Sequence, residues 1–227
     1  MELHPIAYSH SPFTSKFGIP KQSGLAPSLE GTIVFTPEYR NADFLRGIEQ
    51  FDYLWLIWEF SGNPHAATSP LVRPPRLGGN ERVGVFASRS PFRPNAIGLS
   101  CVRLLSVEWE TADGPILRIG GADLMDGTPI FDIKPYIKYA DSHPEARSGF
   151  VDDNPCQTLQ VNIPDHLTSL FTPQQLEALH QTLAQDPRPH YHDDPEKTYG
   201  MPFYDYDVRF QVDGRDLNVV EIVPLNK

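Results

Sequence analysis

The sequence predicts a mainly β protein, a small closed or nearly closed β-barrel followed by a small α+β appendage at the C-terminus. Short apolar runs rich in β-branched and aromatic residues recur through the first 140 residues, separated by turn residues, which is the pattern of short barrel strands. Only residues 41–50 show convincing helical spacing in that region. The 23 prolines and 40% hydrophobic content of the 227 residues suit a turn-rich globular chain better than a helical bundle.

In chain order, residues 3–8 read as a first strand. A loop over 9–27 follows, holding Ser11-Pro-Phe, Lys16-Phe-Gly and Pro20-Lys-Gln-Ser-Gly-Leu25. Ordered loops of that length usually serve function. Residues 31–36 form a second strand. Over 41–50, Phe44, Leu45 and Ile48 share one helical face, with Asn41 or Asp43 as N-cap. Residues 51–60 are the most apolar stretch and predict a strand buried on both faces. Strands at 83–87 and 97–105 flank a loop rich in arginine and proline. Ile116–Ile119 and Pro129–Ile133 read as strands, and Asp126-Gly127 between them is a hairpin signal. From Asp141 the composition shifts to linker-like residues, which places a boundary between a barrel domain, 1–150, and a small C-terminal domain, 151–227. There Thr172-Pro173 supplies an N-cap and first helical position. Leu176, Leu179 and Leu183 continue the helix toward Pro187, and residues 204–212 and 217–223 form a hairpin about Asp213-Gly214.

Several classes are excluded by what is missing. No apolar run approaches the roughly 18 residues of a membrane span, and the first residues lack the basic and apolar regions of a signal peptide. The expectation is a cytoplasmic protein without structural disulfides or metal, since Cys101 and Cys156 form no metal-like pair. His190 and His192 show no metal-ligand spacing with the neighbouring acids. Rossmann, P-loop, Gly-x-Ser-x-Gly and zincin signatures are absent. The net charge of −10 argues against a generally basic nucleic-acid coat. Between Arg73 and Arg103, however, stand six arginines, no lysine and one acid, a net +5 segment in an acidic chain. Such segregation suggests an anion-binding face, for phosphates.

The centre of that segment is Gly84 to Leu99. Pro91 and Pro94 stiffen the loop that holds Arg89 and Arg93, so part of the entropic cost of gripping an anion is already met. Gly98 allows close approach of backbone or ligand. Other polar clusters fall at strand ends: Lys21-Gln22, Ser61-Gly62-Asn63, Asp123 with Asp126, and Lys134 with Tyr136. On these residues alone the polar clusters mark an anion-binding site at the strand ends.

Pro20-Lys-Gln-Ser-Gly-Leu25, Val72 to Asn80, Gly84 to Leu99 and Asp126 to Tyr136 together resemble the TsaA-like family of TrmO-type tRNA (adenine-N6)-methyltransferases, and Leu183 to Tyr191 resembles the C-terminal motif of its bacterial members. Lys21 stands where Arg is usual and Ala96 where Pro is more frequent. The resemblance implies a non-Rossmann barrel that binds S-adenosylmethionine (SAM), works as a homodimer and methylates the exocyclic N6 of threonylcarbamoyladenosine beside the anticodon of threonine tRNA. By the same resemblance Gln22, Ser23, Gly24, Leu25, Gly62, Asn63, Arg89, Leu99, Gly120, Gly121, Ala122 and Asp123 bind the cofactor. Asp123 and Asp126 are the candidate catalytic bases. Arg76, Arg93, Asn95, Lys134, Tyr136, Arg188 and Tyr191 are expected to face the RNA substrate in the anticodon loop. The remaining alternatives are a SAM sensor and a methyltransferase with another small or RNA acceptor. A chain ended after about Pro164 is expected to keep SAM binding and to methylate tRNA poorly.

Overall fold

A computed structural model describes residues 2–63, 69–155, 157–188 and 194–225. Alternation of buried and exposed side chains sets most of the strands. They run β1 (Ala7–His10), β2 (Glu30–Phe35), β3 (Tyr53–Glu59), β4 (Leu71–Val72), β5 (Val83–Gly84), β6 (Ile97–Glu108), β7 (Ile116–Gly120) and β8 (Pro129–Pro135). Six of these hydrogen-bond in the cyclic order β1-β2-β7-β6-β3-β8, a closed barrel, while β4 and β5 pair as a separate ribbon. Inward positions two residues apart fill the barrel: Leu54, Leu56 and Trp58 on β3, Val102 on β6, Leu117 and Ile119 on β7.

Five local expectations are corrected. The first strand begins at Ala7, not residue 3. Residues 41–50 form two short 3₁₀ turns, Ala42–Leu45 and Ile48–Gln50, because Gly47 at φ 87° breaks the run. β3 is buried on its inner face only: Tyr53 is 45% exposed and Trp55 and Ile57 are half-buried. Residues 83–87 are extended only over Val83–Gly84 and then turn as 3₁₀. Asp126-Gly127 makes a turn, but the strands on either side do not form a hairpin. β7 lies between β2 and β6, and β8 between β1 and β3.

The C-terminal elements are β9 (Gln160–Asn162), the helix Pro173–Ala184, β10 (Tyr199–Phe203), β11 (Tyr206–Asp213) and β12 (Asp216–Pro224). They form a four-stranded sheet in the order β10-β11-β12-β9, with β9 parallel to β12. The helix opens on a capping box in which the Thr172 hydroxyl accepts from the Gln175 N–H and the Gln175 side chain accepts from the Thr172 N–H. It buries Ala178, Leu179 and Leu183 on this sheet.

This second core is not made by the C-terminal segment alone. Phe13, Ala26 and Leu29 are buried in it, and Phe17 and Ile19 pack against it. The Phe13 ring meets Phe203 edge-on with centroids 5.8 Å apart, and Phe17 stacks on Phe210 at 6.4 Å. Hydrogen bonds stitch the same seam, Tyr204 N–H to the Pro12 carbonyl at 3.0 Å and Ser28 N–H to the Gln181 side-chain Oε1 at 2.9 Å. Gly18, at φ 92°, has no room for a side chain: a Cβ there would lie 2.3 Å from Met201 Sδ. The loop 9–27 is therefore a shared element, one side in the C-terminal core and the other facing the barrel mouth. No helix among the described residues is long and apolar enough to cross a membrane.

Candidate functional site

The ends of several elements converge on a cavity of about 430 Å³, a size ordinary for a small-molecule site. The shared loop contributes Lys16, Ile19, Pro20, Lys21 and Gln22. The end of β3 and its turn add Trp58 to Asn63, the arginine loop adds Ser88, Arg89, Pro91 and Arg93, and β6 adds Ile97 to Leu99. Asp123, Met125 and Thr128 close the wall.

Its floor is a hydrogen-bonded series. Trp58 donates its indole N–H to Ser100 Oγ at 2.9 Å, and Ser100 donates to Asp123 Oδ1 at 2.5 Å. The arrangement depends on glycine: Trp58 faces Gly98 across β3 and β6, and a Cβ at Gly98 would fall 2.3 Å from the indole. Burial pushes the Asp123 carboxyl above its ordinary pKa. The Ser100 hydrogen bond, backbone N–H groups of Asp123 and Ser23, and the Arg89 charge oppose that rise. Arg89 donates to Gln22 Oε1 at 2.5 Å, and Lys16 donates to Asn63 Oδ1, so both cations are braced by cavity amides. Four cations, Lys16, Lys21, Arg89 and Arg93, face two carboxylates, Glu59 and Asp123, around apolar walls. That mixture suits a zwitterionic ligand with an aromatic or apolar body, and leaves positive charge over for an anionic group.

Of the residues expected to bind a cofactor, Gln22, Gly62, Asn63, Arg89, Leu99 and Asp123 line this cavity together. Ser23, Gly24, Leu25, Gly120, Gly121 and Ala122 lie behind it. The Gly24 N–H donates to the Gly121 carbonyl at 2.8 Å, and Ala122 is buried in the barrel core. Of these, the Ser23 backbone N–H donates to the Asp123 carboxylate. Asp126 is not brought to the cavity: its Oδ1 accepts from the Ser11 N–H and lies 3.2 Å from His10 Nδ1, in a separate depression beside Arg118 and Tyr204.

The residues expected to face RNA are dispersed. Arg93 lines the cavity, and its guanidinium also donates to the Ser88 carbonyl at 3.2 Å and the Ser90 carbonyl at 3.4 Å, which staples the loop to itself. Asn95 is exposed on that loop. Arg76 is directed instead to the Asn154 carbonyl at 3.2 Å. Lys134 pairs with Asp132 at 2.9 Å on the outer barrel face, where Tyr136 meets the rings of Tyr53 and Trp55. Arg188, with its side chain 11% exposed, forks onto Asp186 at 2.9 and 3.1 Å. Tyr191, His190, His192 and Cys156 lie outside the described residues. Among the described residues, no three His, Cys, Asp or Glu side chains group as a metal site.

Lys16, Trp58 and Ser100 belong to the site but carry no motif. Ser100 alone left a trace in the sequence, a polar residue at an inward position of a strand between Gly98 and Val102.

A closed barrel that carries a mixed-charge cavity at its strand ends, in place of a Rossmann sheet, defines a barrel-type binding or transfer protein for a small charged ligand. Residues 8–142 match the tRNA-methyltransferase O N-terminal domain and residues 156–225 match the TrmO C-terminal domain. The chain is 39% identical over 231 residues to a tRNA (adenine(37)-N6)-methyltransferase of Escherichia coli, covering 98% of each. A Pseudomonas aeruginosa relative, provisionally named an S-adenosylmethionine-dependent methyltransferase, is 40% identical over 223 residues, 95% of this chain and 94% of its own. The crystal structure of TrmO from Pseudomonas aeruginosa superposes with a TM-score of 0.79 at 35% identity, covering 99% of this chain and 97% of that one. The chain belongs to the TrmO family.

Proposed function

We propose that the chain is a SAM-dependent tRNA (adenine-N6)-methyltransferase whose acceptor is the exocyclic N6 of threonylcarbamoyladenosine beside the anticodon. The observation that carries the reading is Asp123, held by Ser100 on the wall of a cavity that also gathers Lys16, Lys21, Arg89 and Arg93. Family membership supplies the reaction class.

The residues fit SAM. The Glu59 carboxylate suits an ammonium or ribose hydroxyls, the braced Arg89 suits a carboxylate, and Trp58, Phe60, Leu99 and Met125 offer an apolar bed. Bound SAM supplies a methyl group on a sulfonium that carries its own leaving group. What remains for the protein is placement and removal of one proton. Adenine N6 is a weak nucleophile because its lone pair is delocalised into the ring. Asp123 takes the N6 proton as the nitrogen gains the methyl group, and Ser100 keeps the receiving carboxylate aimed. The threonyl carboxylate of the acceptor accounts for the surplus cationic charge, with Lys16 and Arg93 the nearest candidates to hold it. In this reading the barrel domain, 1–150, binds SAM, and 151–227 supports it and serves the RNA. A second copy covers the outer face of β3, where Tyr53 is 45% exposed and Trp55 and Ile57 are half-buried.

The deciding experiment is methyl transfer from labelled SAM to bulk tRNA, followed by mass spectrometry of the nucleosides. Label in N6-methylated threonylcarbamoyladenosine is expected. SAM binding without RNA-dependent transfer would leave a sensor. Two further outcomes follow. Arg89→Ala removes a charge-assisted contact and should weaken SAM binding by roughly 1.5–3 kcal/mol in calorimetry; unchanged affinity removes Arg89 from the ligand. tRNA affinity should fall with salt at a log–log slope of about 0.7–0.9 per phosphate neutralised, and Arg82→Ala should flatten it.

A further inference from the structure

Two phenylalanines beside the cavity bury little of their surface. Phe86 is 81% exposed and Phe92 is 57% exposed, and neither belongs to the two cores. Both stand on the loop whose intervening residues Ser88, Arg89, Pro91 and Arg93 line the cavity. One side of this loop thus faces the ligand site while the two rings are exposed to solvent.

The loop is not free to fold the rings away. The Ser88 hydroxyl donates to the Val85 carbonyl at 2.9 Å, the Phe92 N–H donates to Ser90 Oγ at 3.2 Å, and the Arg93 guanidinium closes back on the carbonyls of Ser88 and Ser90. Pro91 and Pro94 fix two further φ angles. An exposed aromatic ring held by such a loop keeps an unfavourable hydration that only a partner removes, and its ordering cost is met before the partner arrives.

Charge says which partner. The rings lie within the segment from Arg73 to Arg103, with six arginines against Glu81 in a chain of net charge −10. Arg73 and Arg82 are exposed. Aromatic faces set among exposed arginines suit a polyanion that carries flat, unpaired rings. Duplex RNA hides its base faces in the stack, whereas loop RNA offers them.

We propose that Phe86 and Phe92 are stacking platforms for unpaired bases of the RNA substrate, with the neighbouring arginines on the phosphates between them. This rests on the tRNA methyltransferase reading and adds to it the surface that reads loop RNA.

The test uses the full chain and purified bulk tRNA. Phe92→Ala and Phe86→Ala should each lower tRNA affinity about tenfold, the loss of one stacked base. Phe92→Trp should keep it. The salt slope and the SAM affinity should stay at wild-type values, because no phosphate contact or cavity contact is removed. The effect on methylation should appear in KM for tRNA and not in kcat. Unchanged tRNA affinity in both alanine variants overturns the proposal. So does a loss that comes with dissociation of a dimer in sedimentation, which would give the rings to a second copy. If the wild-type chain transfers no methyl group and binds no tRNA, the underlying reading falls, and that result is distinct from a variant that matches a tRNA-binding wild type.

Discussion

Asp123→Asn should leave the protein folded and slow methyl transfer by about two to four orders of magnitude, the usual worth of a positioned general base. Asn keeps the shape and still accepts the Ser100 hydrogen bond, so SAM affinity should change far less than the rate. The pH profile gives a second handle. The carboxylate accepts a proton only when ionised, and its pKa is raised, chiefly by burial. The wild-type rate should therefore fall on the acid side through a limb placed above the ordinary carboxylate range, and the Asn variant should lack that limb. Stability runs in the opposite direction. A carboxyl whose pKa is raised by folding lends stability while protonated and loses that contribution as pH rises through the folded value. At neutral pH the native protein holds a charge that its surroundings disfavour, and Asn resembles the protonated form. The variant should melt no lower than wild type, a trade of stability for function. Equal losses of rate and SAM affinity would make Asp123 a ligand-binding residue and not the base.

Ending the chain after Pro164 should abolish SAM binding, at least about a hundredfold, because the lost contacts order a loop whose fixation costs roughly 1–2 kcal/mol per residue. The shared loop supplies Lys16 and Ile19 to Gln22 to the cavity, and its other side lies on Met201, Phe203 and Phe210. This departs from the expectation from sequence, in which a chain ended there still binds SAM and methylates tRNA poorly. Gly18→Ala probes the same seam in the full chain. It places a methyl group against Met201 at a left-handed backbone position, and should cost roughly 2–4 kcal/mol, local to the loop. SAM affinity should fall while a melt still shows a cooperative core. A folded truncated chain that binds SAM as the full chain does would end the idea.

Much of this architecture follows from short-range chemistry. The strands alternate inward and outward residues with period two, and the helix begins on a Thr-Pro cap, so β2, β6, β7, β11, β12 and the helix can be read from their own residues. Pairing cannot. Whether β8 joins β7 or closes on β1 depends on barrel curvature, and Asp126-Gly127 looks the same in a hairpin and in a turn between distant strands. β10 escapes notice because Tyr199-Gly-Met-Pro-Phe203 contains glycine and proline, and its value lies in what covers Phe13. At the site, the glycine and arginine motifs mark the loops. Trp58 and Ser100 join Asp123 only through contacts across the barrel. Lys16 meets Asn63 only because the shared loop is anchored at its far side.

The indole of Trp58 also makes the protein a source of light for its own chemistry. Trp58 is 7% exposed, whereas Trp55 is half-buried and Trp109 is 36% exposed, so its fluorescence belongs to the blue edge of the emission. Its N–H is joined through one hydroxyl to the carboxyl of Asp123. Protonation of that carboxyl, or arrival of a ligand against the ring, alters the field along the indole, and the change can be followed in real time without any dye.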